Sequence, residues 1–184
     1  MLAYVFWHWP RPGVGEPEYR ERLVRFHRAL ASSAPAGFRG SRAFDAAAVP
    51  GIAPTSELVE DWYFVDDFAA LGVINDAAVA AHNREPHDAA ASLAAGGTAG
   101  IYKLCSPRVA DPRSAAWFSK AANASYASFF ATVPAGVELW QRQMTLGPAP
   151  EFCALGSSAG ELAAFVATFG VTASPIRTIL EERG

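Results

Sequence analysis

The chain has 184 residues, of which 51% are apolar and 18% charged, with a formal net charge of -3. That length holds one large domain or two small ones. The acidic balance, with a pI near 5.8, excludes a generic polyanion binder, because phosphate contacts need a basic surface.

Ala3–Trp9 is β-branched and aromatic and ends at a proline, so it predicts a strand. After a loop at Pro10–Pro17, apolar positions Tyr19, Leu23, Phe26, His27 and Leu30 fall on one helical stripe. Pro35-Ala-Gly37 stops that helix. Phe38–Asp45 and Leu58–Val65 predict strands, with a loop over Ala46–Ser56 between them. Asp66 or Asp67 then caps a helix carrying Phe68, Leu71, Ile74 and Ala78. A polar break at His82–Asp88 precedes a short alanine helix, for which Asp88 is the expected N-cap, and Gly100–Cys105 predicts a fourth strand.

Past a linker at 106–114 the order recurs. Ala116–Lys120 predicts a strand, Ser125–Val133 a helix, and Val137–Leu146 and Glu151–Leu155 a strand pair around a turn at Gly147–Pro150. Ser158-Ala-Gly-Glu161 is a capping box for a helix ending at Gly170, and Ser174–Leu180 predicts the last strand. Pro134-Ala-Gly136 stops a helix at the same point of the order as Pro35-Ala-Gly37. The chain thus reads as two βαββαβ units, 1–105 and 115–184, the first with an insertion over about 75–96.

Each unit would be an antiparallel sheet with helices on one face. The strands are apolar on both faces, as in Tyr4, Phe6, His8 against Val5, Trp7, Trp9. Such strands need cover on both sides, and two open sheet faces in one chain can cover each other. The expected fold class is α+β: tandem ferredoxin-like repeats whose sheets form one α/β barrel. On these strands and the paired Pro-Ala-Gly stops, the chain resembles the dimeric α/β-barrel superfamily in a fused form, similar to antibiotic-biosynthesis monooxygenase-like and EthD-like proteins. The resemblance implies a pocket, between sheet and helices or inside the barrel, for an aromatic or apolar small molecule. Haem enzymes of that superfamily carry a proximal histidine on a second-repeat helix, whereas all four histidines here lie in the first unit.

His8, Tyr63 and Arg142 are the candidate catalytic residues: a base, an orienting hydroxyl and an anion clamp. If the His8 face turns into the barrel, Tyr4 and Phe6 share it; the plainer reading is a buried histidine bonded to its neighbours. Asp61 would orient the imidazole or be solvated at the strand start. Arg142 would clamp a substrate anion or pair with Glu138 or Glu151. Tyr4, Phe6, Asp61, Trp62, Trp140 and Gln141 are candidate ligand contacts. His27 is expected to pack. His82 and His87, spaced around Pro86, form no i, i+4 metal pair on one helix; a metal site with Asp88 is the alternative, and a lid over a pocket mouth is the better reading of the insertion.

No metal or cofactor is expected, and Cys105 and Cys153 are expected as small hydrophobes rather than a disulfide framework. The apolar start has no basic segment before it and is cut by Pro10 and Pro12, so no targeting segment is expected. A cytoplasmic monomer or homodimer, without membrane or nucleic-acid partners, is the corresponding expectation. The functional reading is a small-molecule-binding barrel, either a cofactor-independent monooxygenase-like or proton-transfer enzyme, or a non-catalytic protein with a packed barrel.

Overall fold

The computed structural model of the chain describes residues 1–46, 49, 51–52, 58–145 and 149–184. Its elements are β1 (Leu2–Pro10), α1 (Glu16–Ser33), β2 (Phe38–Ala46), β3 (Leu58–Val65), α2 (Phe68–Ala78), α3 (Ala81–Ala91), β4 (Ala94–Leu104), β5 (Ser114–Phe118), α4 (Tyr126–Phe130), β6 (Val137–Thr145), β7 (Phe152–Gly156), α5 (Ala159–Ala167), β8 (Ser174–Pro175) and β9 (Arg177–Glu182). The predicted loop 46–56 lies largely outside the described residues, as do Leu146 and part of the predicted turn at 147–150.

The strands form one sheet in the order β8-β5-β7-β6-β4-β1-β3-β2-β9. Strand β4 pairs with β6 and joins the two halves of the chain. The final segment pairs first with β5 through Ser174 and Pro175, then with β2 from Arg177 onward. One stretch of chain thereby serves both ends of the sheet, which curls into a nearly closed antiparallel barrel with helices outside. The fold is α+β, as the strand patterning predicts.

Strand periodicity assigns the two faces. Ala3, Val5 and Trp7 of β1 and Trp62 and Phe64 of β3 point inward, where they meet Phe44, Tyr102, Trp117 and Trp140. This interior is packed. The Trp62 ring centroid lies 5.5 Å from that of Trp140 and 5.8 Å from that of Trp117, and the Trp7 centroid is 4.9 Å from that of Trp117. Each ring buried there stabilises by about 2–3 kcal/mol. The indole N–H groups still need acceptors, and two glutamates supply them. Glu60 accepts from Trp117 at 2.7 Å and from Trp7 and Trp62 at 3.3 Å. Glu138 accepts from Trp140 at 2.7 Å and the Val109 backbone at 2.6 Å, and faces Arg42 at 3.4 Å. Burial pushes the Glu60 carboxyl up to about 7 despite the three indole donors.

Both Pro-Ala-Gly stops share a backbone hydrogen bond, from Phe38 N to Pro35 O and from Val137 N to Pro134 O. Gly37 adopts φ +78°, and a Cβ there would come within 2.5 Å of the Ala70 Cβ on α2. The stop therefore turns the chain and lets α2 approach the sheet.

Two elements, β4 and α3, depart from expectation. Strand β4 begins at Ala94 rather than at Gly100 and takes in Gly96 and Gly97. A Cβ on Gly97 would lie 2.4 Å from the Phe6 ring, so the bare backbone makes room for that ring. The polar stretch 82–88 is helical within α3, and Pro86 lies inside the helix. Packing on α1 and α2 overrides the proline: the Asn83 amide donates to Ser33 Oγ of α1 at 3.1 Å and to Ala77 O of α2 at 2.9 Å, and Arg25 of α1 donates to Glu85 at 3.0 Å. The N-cap of α3 is consequently Ala80, and Asp88 sits mid-helix beside His87.

The Glu60 geometry generates a pH prediction. A carboxyl raised in the folded state binds its proton more tightly folded than unfolded. It therefore lowers stability as pH rises from about 4.5 to about 7. Urea unfolding across that window should show wild type losing stability with rising pH relative to Glu60→Gln. Parallel curves for the two proteins would contradict it.

Candidate functional site

The other face of β1 carries Tyr4, Phe6 and His8, and that of β3 carries Asp61 and Tyr63. The register sets Tyr4 opposite Tyr63 and Phe6 opposite Asp61, with His8 diagonal to Asp61. This face turns to the helix layer, not to the barrel interior. The α1 stripe Tyr19, Leu23, Phe26, His27 and Leu30 is buried above it.

The helices do not close down on the sheet. They leave a cavity of about 570 Å³ lined by Tyr4, Phe6, His8, Tyr19, Leu23, Phe26, Asp61 and Tyr63, with α2 and α3 as its far wall. The far wall explains the space: Gly72, Ala78, Ala90 and Ala91 contribute little volume. Under the helices of the second half, by contrast, Phe118, Phe129, Phe152 and Phe165 share one buried cluster. Phe68, half exposed, borders the cavity, as do Asn75 and His87. Among the described residues no lysine or arginine lines it.

Asp61 anchors the polar end. Its Oδ2 accepts from the Tyr63 hydroxyl at 3.1 Å and faces His8 Nε2 at 3.1 Å and His27 Nε2 at 3.3 Å. The His8 contact is within ion-pair range but off hydrogen-bond alignment, and Asp61 Oδ1 has no hydrogen-bond partner among the described residues. His8 Nδ1 meets the Tyr19 hydroxyl at 2.5 Å, and His27 Nδ1 meets Ser41 Oγ at 2.8 Å. A ring nitrogen facing a carboxylate carries the proton. Both imidazoles are therefore assigned as Nε2–H tautomers, with Nδ1 accepting from a hydroxyl.

Asp61, His8 and His27 are all buried. Burial acts to raise the Asp61 pKa, but the two histidines outweigh it and hold the carboxyl well below its ordinary value. Tyr19 and Tyr63 are raised above the ordinary phenol value, first by burial and then by the Asp61 charge. The cluster thus presents an ionised carboxylate, imidazoles and protonated phenols at the end of an apolar cavity, a set able to accept and return a proton.

The candidate residues divide. His8, Tyr63, Tyr4, Phe6 and Asp61 come together here. Trp62 and Trp140 lie in the packed interior instead, as β-strand alternation requires of residues next to Asp61 and Leu139. Arg142 sits on β6, where its guanidinium donates to the Ala149 carbonyl. Neither suggested partner takes that guanidinium, since Glu138 faces Arg42 and Glu151 accepts from Tyr126 at 2.6 Å. The Gln141 side chain lies 3.9 Å from Cys105 Sγ, away from the cavity. Tyr19 and His27 join the cluster, although their sequence pattern indicates only packing. Their shared stripe with Leu23 is the available signal.

No protein-family model matches the chain, and no curated protein matches it. Solved structures do. One described as a "putative monooxygenase" from Fusobacterium nucleatum subsp. nucleatum ATCC 25586 superposes with a TM-score of 0.65 at 10% identity, over 99% of this chain and 94% of that one. A second of the same description, from Lactobacillus acidophilus NCFM, gives 0.59 at 9% identity over 99% and 96%. An "anthrone oxidase-like protein" gives 0.57 at 10% identity over 99% and 90%. The chain therefore has the ferredoxin-like α/β-barrel fold.

Asp61→Asn removes the charge that both histidines face. It should lower stability by about 2–3 kcal/mol. A depressed carboxyl contributes its stability above the unfolded pKa of about 3.9 and loses it as pH falls through the folded value. The deficit should therefore be full near neutrality and shrink only in strong acid. A wild-type-like unfolding midpoint at neutral pH would contradict the assignment.

Proposed function

We propose that the chain binds an uncharged aromatic or polycyclic small molecule between its sheet and α1–α3, and that His8 moves a proton at that molecule. The observation carrying this reading is the meeting, in one cavity, of apolar walls with a buried imidazole–carboxylate pair. A volume of about 570 Å³ is in the range of small-molecule pockets. The absence of lysine and arginine from its described lining disfavours carboxylates and phosphates and favours ligands with one hydroxyl or carbonyl. Asp61 orients and polarises the His8 ring, and Tyr63 in turn holds Asp61.

Two names among the similar folds, "putative monooxygenase" and "anthrone oxidase-like protein", add the finer form of the proposal. In it, deprotonation makes an electron-rich carbanion that reacts with dioxygen. An activated methylene and one dioxygen then give a carbonyl and one water: the carbon is oxidised, dioxygen is reduced, and no further reductant is needed. A second reading, a ligand-binding protein without catalysis, draws on the fact that both His8 nitrogens already face protein groups.

The test is proton transfer itself. β-Tetralone is neutral, aromatic and fused, with an acidic C–H beside its carbonyl. Its anaerobic deuterium exchange should be accelerated by the protein, and His8→Gln should lose that acceleration by about 100-fold or more. Saturable binding of β-tetralone with equal exchange by both proteins would support the binding-only reading and contradict proton transfer.

A further inference from the structure

We propose that the Tyr19 hydroxyl is the group that exchanges a proton directly with the bound ligand, with His8 as the base behind it and Asp61 holding His8. This rests on the proton-transfer reading above and gives it a cavity-side residue.

The argument starts from the occupancy of His8. Its Nδ1 lies 2.5 Å from the Tyr19 hydroxyl and its Nε2 faces Asp61 at 3.1 Å. The His8 side chain is 4% exposed. A ligand proton therefore reaches His8 through Tyr19 or by displacing it. Displacement is disfavoured because α1 holds Tyr19: the residue is buried in one apolar cluster with Leu23, Val59, Ala43 and Leu180, and its backbone N–H is bonded to Gly15 O at 3.0 Å.

The other cavity tyrosines are not equivalent. Tyr63 donates its hydroxyl proton to Asp61 at 3.1 Å, and the histidine nitrogen beside it, His27 Nε2 at 3.3 Å, already carries a proton and cannot act as its base. Tyr4 has no hydrogen-bonded base among the described residues, and its ring contacts are to Phe6 and Tyr63. Of these three, it is Tyr19 that has a histidine Nδ1 as its hydrogen-bond partner.

The step balances within the named groups. The ligand C–H or O–H bond breaks and its proton passes to Tyr19 Oη, while the Tyr19 proton passes to His8 Nδ1. The electron pair stays on the ligand as an anion beside the reformed Tyr19 hydroxyl, which donates to it. His8 becomes an imidazolium against Asp61. Reversal returns the proton, so no oxidant or reductant is involved. The titratable groups around this path are Tyr4 on β1, His27 on α1, Asp61 and Tyr63 on β3, and His87 on α3.

Tyr19→Phe keeps the ring and removes only the hydroxyl. It should bind β-tetralone about as well as wild type, yet lose accelerated deuterium exchange by about 100-fold. In wild type, the Tyr19 Cζ resonance should move as β-tetralone saturates the protein, a measurement that does not depend on the variant folding. Wild-type exchange in Tyr19→Phe, or an unmoved Tyr19 resonance at saturation, overturns the role of Tyr19 while leaving His8 in place. Equal exchange by wild type and His8→Gln overturns the proton-transfer reading and this inference with it.

Discussion

A sheet that is apolar on both faces has to be covered twice, and the rest of this molecule follows from how each covering is made. Inward, the two halves of the chain cover each other, and the bulk of Trp7, Trp62, Trp117 and Trp140 leaves a packed interior. Outward, the helices cover the sheet, but the two halves use different residues. Phenylalanines fill the second half, while glycine and alanine on α2 and α3 leave space in the first. The cavity is thus a consequence of side-chain volume on one helical pair, not of barrel closure.

Asp61 is the point where this architecture acquires chemistry. A carboxylate on a fully buried strand face needs compensation. Here it comes from Tyr63 on the same strand, His8 on the neighbouring strand, and His27 across the layer on α1. The same contacts set the tautomer of His8 and turn its remaining nitrogen toward Tyr19. Glu60, one residue earlier, faces the other way and is compensated by indoles instead. Two adjacent acids on β3 thus serve opposite faces: one completes the core and the other furnishes the cavity.

Much of this is legible in the residues. Alternation gives Tyr4, Phe6 and His8 a common face, and the same rule groups Asp61 with Tyr63. Leu58–Val65 is a strand over the range expected, and the Asp67 and Ser158 caps accept from Ala70 N and Glu161 N as their spacing suggests. Alternation cannot say which face looks inward when both are apolar, so Trp62 and Trp140 pass for ligand contacts in the sequence. Arg142 resembles a clamp because its strand looks buried along its length. Helix α3 is hidden by Pro86 and a polar run, whose helicity comes from packing on α1 and α2 rather than from local preference. Tyr19 and His27 carry the correct stripe, but a stripe reports burial and not the partner across the layer. The correspondence of the two halves is our reading of the repeated element order and the shared Pro-Ala-Gly stops.

The central claim, an apolar cavity under the helices beside a filled barrel, is tested most directly by xenon, which enters dry apolar cavities. Under xenon pressure, methyl and aromatic resonances of Leu23, Phe26, Leu71 and Ile74 should shift saturably while the indole signals of Trp7, Trp62 and Trp117 stay fixed. Shifts centred on those indoles, with the helix-layer resonances unmoved, would contradict the account.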